Sequence, residues 1–206
     1  MAERADYIGK TTLTYIGHAA VKITSKGGTV LYIDPWFAGD YSDAADYIFV
    51  THGHLDHMPC PDVVLKDSGK MYTWNEMLHD GVYETVALGD ITVQAVPAAN
   101  KNHNIQTSVG YIVTVDGYKI YHAGDTSKLE SMSELAALGI DYAMFPIDGV
   151  YNMGAAEATE VAKMVGAKHN IPIHENDDPA SGKKKSDDFV PENKLVLAYG
   201  ETICLG

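Results

Sequence analysis

The sequence predicts an α/β (α+β) protein in which two β-sheets pack together and helices cover their outer faces. Short runs rich in β-branched residues occupy both ends of the chain, and strands alternate with two helices between residues 119 and 173. This order favours two sheets with helices outside them, because strands come first, then strands alternate with helices, and further strands follow. A length of 206 residues fits a single domain that covers residues 1–206.

Strand signals dominate the first third of the chain. Short β-branched runs predict strands over residues 12–16, 20–24 and 30–33. Residues 47–50 form a continuous apolar run, which predicts a strand buried on both faces. The first turn of a helix tolerates proline, so Pro59 and Pro61 predict a short helix over residues 60–65.

Two segments of the second half have helical spacing. Residues 127–130 form a capping-box pattern and are followed by apolar residues three apart. A second apolar stripe, within residues 158–165, lies between Gly154 and Gly166 and predicts another helix. Strands are predicted over residues 85–88, 91–96, 109–115, 119–122, 141–146, 170–173 and 194–198.

Charge and cysteine content exclude several classes of protein. Asp and Glu number 28 against 15 Lys and Arg, which gives a net charge of −13. A chain this acidic repels phosphate backbones and anionic lipids, so we expect neither nucleic acid nor membrane partners. Two cysteines are too few for a disulfide framework, and no signal peptide or membrane-spanning run is visible. We therefore expect a cytoplasmic protein.

Residues 51–57 carry the strongest chemical signal. His52, His54, Asp56 and His57 place four possible metal ligands within six residues of a segment that has neither helical nor strand periodicity. On an extended loop, side chains two apart point the same way, so His52 and His54 can bind one ion. Asp56 and His57 can reach a second ion after a bend. Imidazole and carboxylate suit zinc, iron and manganese. A metal-free polar loop is disfavoured because four crowded ionisable groups would repel or desolvate one another.

Further ligands for two ions must come from loops at the same ends of the strands. Asp125 follows a predicted strand and precedes a predicted helix, and a carboxylate can bridge two cations. His174 ends the strand over residues 170–173, and His103 lies in the polar loop 100–104. Each of these residues alone is more often a turn or solvated residue. Together with the histidine cluster they become candidate ligands.

The segment from His52 to His57 resembles the H-x-H-x-D-H signature of the metallo-β-lactamase fold superfamily. The other segments that carry the resemblance, in order, are Tyr15-Ile16-Gly17-His18, Asp34-Pro35, Tyr121-His122-Ala123-Gly124-Asp125-Thr126 and Ile171-Pro172-Ile173-His174. The series is most similar to the small stand-alone metal-dependent hydrolases of this fold, which are relatives of the ascorbate-6-phosphate lactonase group. The resemblance implies a four-layer αβ/βα sandwich.

The resemblance also implies a role for each candidate. His52, His54 and His103 would bind the first ion. Asp56, His57 and His174 would bind the second ion, and Asp125 would bridge the two. A bridging water would lose a proton and attack a carbonyl or phosphoryl centre, with Asp56 as an additional catalytic proton acceptor. His18 and Asp34 are expected in the second shell, where they would orient a ligand.

These expectations describe a hydrolase with two divalent ions, zinc first and manganese or iron as alternatives. Its substrate would be a small molecule with a lactone, ester, amide or phosphodiester bond. One alternative is an iron-dependent oxidoreductase on the same ligands, although members with a redox di-iron centre commonly have Glu at the position of His54. The other is a non-catalytic metal-binding protein. The protein is a candidate homo-oligomer, since symmetric assemblies are common.

Overall fold

The computed structural model describes residues 4–175 and 184–206. Its strands are β1 (Thr12–Gly17), β2 (Ala20–Thr24), β3 (Val30–Ile33), β4 (Ala45–Phe49), β5 (Leu65–Tyr72), β6 (Leu78–His79), β7 (Val82–Tyr83), β8 (Thr85–Leu88), β9 (Ile91–Pro97), β10 (Val109–Val115), β11 (Tyr118–His122), β12 (Tyr142–Pro146), β13 (His169–Ile173) and β14 (Glu201–Cys204). The α-helices are α1 (Trp74–Met77) and α2 (Ala155–Val165), and 3₁₀ helices span Arg4–Tyr7, Leu55–His57, Glu130–Leu138 and Lys185–Asp187. Among the described residues, no helix combines the length and the apolar character that crossing a bilayer requires.

Two six-stranded sheets have similar internal order. The first runs β14-β1-β2-β3-β4-β5 and the second runs β13-β12-β11-β10-β9-β8. Strands β3, β4 and β5 are parallel to one another, as are β11, β12 and β13, whereas the other neighbours are antiparallel. Each sheet therefore has a parallel part whose strands end at one common edge, and loops at such an edge are favoured places for ligands.

Apolar side chains pack on three faces of these sheets. Between the sheets, buried residues such as Leu31 and Phe49 pack with Val113 and Ile171. Helix α2 and the 3₁₀ helix Glu130–Leu138 cover the outer face of the second sheet. Irregular chain that includes Tyr41 and Val63 covers the outer face of the first sheet. This layering confirms the predicted α/β class, with the layer over the first sheet built mainly from loop.

The predicted helix over residues 60–65 is wrong. The backbone N–H of Cys60 donates to Pro35 O, and Val64 O accepts from Ala45 N–H, so these backbone groups bond to other segments rather than within a helix. The chain then enters β5, a largely exposed strand at the edge of the first sheet. The sequence does not predict this strand, because polar residues and Gly69 replace the alternation of apolar and polar residues that is typical of a half-buried strand.

Two further local predictions also need correction. Glu130–Leu138 is a 3₁₀ helix whose N-cap residue, Leu129, has no side-chain cap hydrogen bond, so the capping box does not form. Residues 194–198 make only an isolated bridge between Lys194 and Asn170. A tight turn, in which Glu201 N–H donates to Ala198 O, moves the last strand to Glu201–Cys204, where it pairs with β1. The helix predicted between Gly154 and Gly166 is confirmed as α2.

Gly124, immediately before Asp125, has no room for a side chain. Its φ is +64°, and a Cβ there would lie 2.7 Å from Val109 O. We expect Gly124→Ala to lower the free energy of unfolding by about 2 to 4 kcal/mol, because it adds both backbone strain and a clash with backbone. Gly117→Ala is the control: its φ is +90° but a Cβ meets nothing within 4 Å, so the loss should be about 1 kcal/mol. If urea denaturation shows the same decrease in the free energy of unfolding for both variants, the predicted clash at Gly124 is wrong.

Candidate metal centre

Six of the seven candidate ligands lie on segments that follow parallel strands of the two sheets. The segment from His52 to His57 follows β4, Asp125 follows β11, and His174 follows β13. His103 comes from the loop between β9 and β10. Because the two sheets face each other, side chains far apart in sequence meet at one edge of the sandwich.

The first group of candidate ligands contains His52, His54 and His103. One ligand atom from each lies within 4.8 Å of the others. His54 Nδ1 is 3.1 Å from Nε2 of His52 and 3.1 Å from Nε2 of His103. His52 and His103 are buried, whereas His54 is exposed. We call these three residues the open group.

The second group contains His18, Asp56, His57 and His174, whose ligand atoms also lie within 4.8 Å of one another. His57 and His174 are buried, and Asp56 is half-buried. His18 Nε2 lies 3.3 Å from Asp56 Oδ2. We call these four residues the closed group. Three of them are the ligands expected for the second ion, and His18, expected in the second shell, lies among them.

Asp125 lies between the two groups. Its Oδ2 is 3.4 Å from His103 Nε2 and 4.0 Å from His52 Nε2 in the open group. The same oxygen is 3.6 Å from His174 Nε2, and Oδ1 is 3.4 Å from His57 Nε2, both in the closed group. One carboxylate thus faces both groups, which is the position expected of a bridging ligand.

The donor atoms fit metal ions. Within the part of the chain that the structure describes, His57 Nε2 and Asp125 Oδ1 are buried and make no hydrogen bond. A buried polar atom without a partner is costly, and a coordinated cation would satisfy both atoms. Imidazole nitrogen and carboxylate oxygen are also the donor types that divalent transition metals accept.

Asp34 holds the ring of His57 from behind. Its Oδ2 accepts a hydrogen bond from His57 Nδ1 at 2.7 Å. The carboxylate also accepts from the Thr51 backbone N–H at 2.8 Å and from the Thr51 hydroxyl at 2.7 Å. This fixes the ring with Nε2 toward Asp125. The geometry matches the orienting role expected of Asp34.

Two more side chains hold ligand rings in the same way and were missed in the sequence. Asp148 Oδ2 lies 3.3 Å from His174 Nδ1, and its Oδ1 accepts from backbone N–H groups of the following loop, including Tyr151. Asn100 Oδ1 lies 2.8 Å from His103 Nδ1. The signal for Asp148 was present, because it follows β12 much as Asp125 follows the neighbouring strand β11.

The carboxylates around His57 favour its charged form. Burial would lower the pKa of His57, but Asp34 and Asp125 outweigh that effect and raise it to about 10. Burial and the nearby His57 lower the pKa of His52 to about 3. Burial opposes ionisation of Asp125, yet His57 and the other histidines hold its pKa well below the usual value. At neutral pH the ligands therefore contain an imidazolium between two carboxylates.

Zinc binding should release a proton for this reason. A pH of 7.5 is below the pKa of His57, which is about 10, so His57 is protonated. A histidine ring that binds a metal ion must be neutral. We expect at least one proton released per chain on zinc loading, and weaker zinc binding as the pH falls. Calorimetric titration in buffers of different ionisation enthalpy measures the release. A heat of binding that does not depend on the buffer would contradict the prediction.

A family model described as "Beta-lactamase superfamily domain" matches residues 12–174, a span that includes both groups of candidate ligands and Asp125. The chain belongs to the metallo-β-lactamase superfamily. The predicted resemblance is confirmed by this match.

A sequence relative is named a metal-dependent hydrolase, and solved structures share the fold. A UPF0173 metal-dependent hydrolase from Pyrococcus furiosus is 32% identical, and the alignment covers 93% of this chain and 98% of the relative. A crystal structure from Parabacteroides distasonis has a TM-score of 0.74 at 26% identity and 91% coverage of each chain. A metallo-β-lactamase superfamily structure from Thermotoga maritima has a TM-score of 0.65 at 23% identity, covering 87% of this chain and 84% of that one. As a UPF0173 member of the metallo-β-lactamase superfamily, the protein is a metal-dependent hydrolase.

Proposed function

We propose that the protein is a binuclear hydrolase, with zinc as its metal, that cleaves a lactone, ester, amide or phosphodiester bond in a small molecule. The position of Asp125 carries the proposal, because its two oxygens face ligand groups on either side at 3.4 to 4.0 Å. A site for one ion would not need two clusters of donors that meet at a shared carboxylate.

The open group would hold one ion, the closed group would hold the other, and Asp125 would bridge them. Two bound dications would lower the pKa of a water between them to near neutrality and polarise the oxygen on which charge develops. Asp34, Asp148 and Asn100 would keep the ligand rings oriented through their far nitrogens. Asp56 would accept the proton of the attacking water through its half-exposed carboxylate.

The space beside the open group supports a small substrate. A cavity of about 330 Å³ is lined by His52, His54 and His103 together with Trp74, Asn102 and Thr107. Cavities that bind small molecules range from roughly 300 to 1,000 Å³ and combine apolar walls with a few polar groups. A larger cleft of about 570 Å³ lies against β1 and β2, and none of the candidate ligands lines it.

Surface charge supports the same class of substrate. A net charge of −13 disfavours the binding of nucleic acids. Bound divalent ions reverse the sign locally, so a small phosphodiester stays in the proposed range of substrates.

A hydrolysis panel with a matched pair of variants tests this proposal. The zinc-loaded protein is assayed with nitrophenyl esters, lactones, amides and bis-nitrophenyl phosphate. We expect turnover by the wild type and by His79→Ala, whose histidine is exposed and remote in sequence from the ligand loop. His54→Ala should lose at least about 100-fold in kcat/KM, since it removes one ligand of the open group.

The two alternative functions appear as distinct outcomes of the same panel. Oxygen consumption by the iron-loaded protein, without hydrolysis, would favour an oxidoreductase. A fully loaded protein that turns over nothing would favour a metal-binding role. Equal hydrolysis by wild type and His54→Ala would show that the activity does not arise at this site.

A further inference from the structure

We propose that His18 is itself a metal ligand, so that the ion in the closed group has four protein donors besides Asp125. The inference rests on the proposed binuclear site. It adds that the two ions are bound with different affinities. The open group supplies His52, His54 and His103, whereas the closed group supplies His18, Asp56, His57 and His174.

The backbone at His18 is held in an unfavourable conformation. Its φ is +54°, in the left-handed region that residues other than glycine seldom adopt. Two hydrogen bonds fix its carbonyl there: Tyr15 Oη donates to it at 3.0 Å, and the backbone N–H of His174 donates at 2.8 Å. Strain of this kind persists where the surrounding structure enforces it, often at functional sites.

The ring of His18 packs directly on the ligands. Its centroid lies 3.7 Å from that of His174, and Trp36 contacts it edge-on at 5.6 Å. Only 10% of the side chain is exposed. Nε2 lies 3.3 Å from Asp56 Oδ2, a spacing also suited to two atoms bound to one ion. His18 is therefore both buried and aimed at the closed group.

Residues that merely orient a ligand have a different geometry here. Asp34, Asp148 and Asn100 each contact Nδ1 of a histidine, on the side of the ring away from Asp125. His18 does not contact the Nδ1 atom of a ligand histidine in this way. Instead one of its nitrogens lies within 4.8 Å of the ligand atoms of Asp56, His57 and His174. Its placement is that of a ligand.

Four donors change what the closed group can do. With Asp125 counted in both groups, the closed group supplies five protein donors and the open group supplies four. The open group has three histidines, and exposed His54 lines the cavity of about 330 Å³. We therefore assign the tighter ion to the closed group and the contact with substrate to the open group.

NMR of the full chain loaded with ¹¹³Cd and labelled with ¹⁵N-histidine tests the bond directly. Of the nine histidines, the proposal predicts scalar coupling to cadmium for six: His18, His52, His54, His57, His103 and His174. His18→Gln identifies its signal by loss of one coupled resonance. Coupling at His57 and His174 without coupling at His18 would overturn the inference while leaving the proposed hydrolase intact. A protein that takes up no cadmium would overturn both.

A chelator titration provides a second readout. The wild type should lose one ion well before the other. Loss of an orienting residue typically costs 10- to 100-fold in metal affinity. His18→Gln should cost more than about 100-fold at the tighter position, and His79→Gln should change nothing. Unchanged retention of the tighter ion in His18→Gln would contradict the assignment.

Discussion

Replacing Asp125 by alanine should lower kcat/KM by at least about 1,000-fold and reduce bound metal from two ions per chain to at most one. Asp125 is the carboxylate that faces both ligand groups, so its loss weakens both positions together. A thousandfold loss corresponds to about 4 kcal/mol of transition-state stabilisation, in the range expected for metal-assisted chemistry. Steady-state kinetics and elemental analysis measure the two effects.

Asp67→Ala is a suitable control for that experiment, since it removes an exposed carboxylate from strand β5. It should leave both metal content and kcat/KM unchanged. If Asp125→Ala keeps activity within tenfold of the wild type, Asp125 does not bridge the ions.

Replacing Asp34 by alanine should produce the largest loss of stability among single changes at the site. Asp34 is fully buried and accepts hydrogen bonds from Thr51 N–H, the Thr51 hydroxyl and His57 Nδ1. Removing one member of a buried charge pair costs about 3 to 5 kcal/mol, because the other charge stays buried without its partner. We expect a decrease of that size in the free energy of unfolding of the metal-free protein, measured by urea denaturation.

The same change should weaken zinc binding by about 10- to 100-fold, because the His57 ring loses the contact that orients it. Asp34→Asn keeps the size of the side chain and should fall between wild type and Asp34→Ala in both measurements. A metal-free Asp34→Ala protein as stable as the wild type would rule out the proposed role of Asp34.

Much of the candidate site was predictable because its signals are local. Four potential ligands lie within six residues, and Asp125 and His174 each follow a strand that the residue pattern predicts. The meeting of these residues then follows from the parallel order of the strands. What the pattern could not give was the orientation of individual rings. Both His18 and Asp34 have a positive φ. His18 nevertheless faces the closed group and Asp34 lies behind His57, so the difference depends on tertiary contacts.

The errors in the fold have similar physical causes. Helix α2 was predictable because its apolar stripe and the glycines at its two ends indicate the same helix. Strand β5 was missed because it is an exposed edge strand, and its burial gives no alternating pattern. The segment Glu130–Leu138 has near-helical apolar spacing, yet it forms a 3₁₀ helix. Periodicity reports which face is buried, whereas it does not distinguish closely related helical geometries.

Metal content distinguishes a binuclear site from a site for one ion. The protein is purified without chelators, equilibrated with zinc, freed of unbound ions and measured by elemental analysis against protein concentration. We expect two zinc ions per chain, held by the open group, the closed group and Asp125. A protein that stays empty of divalent ions, or that saturates with one, would contradict it.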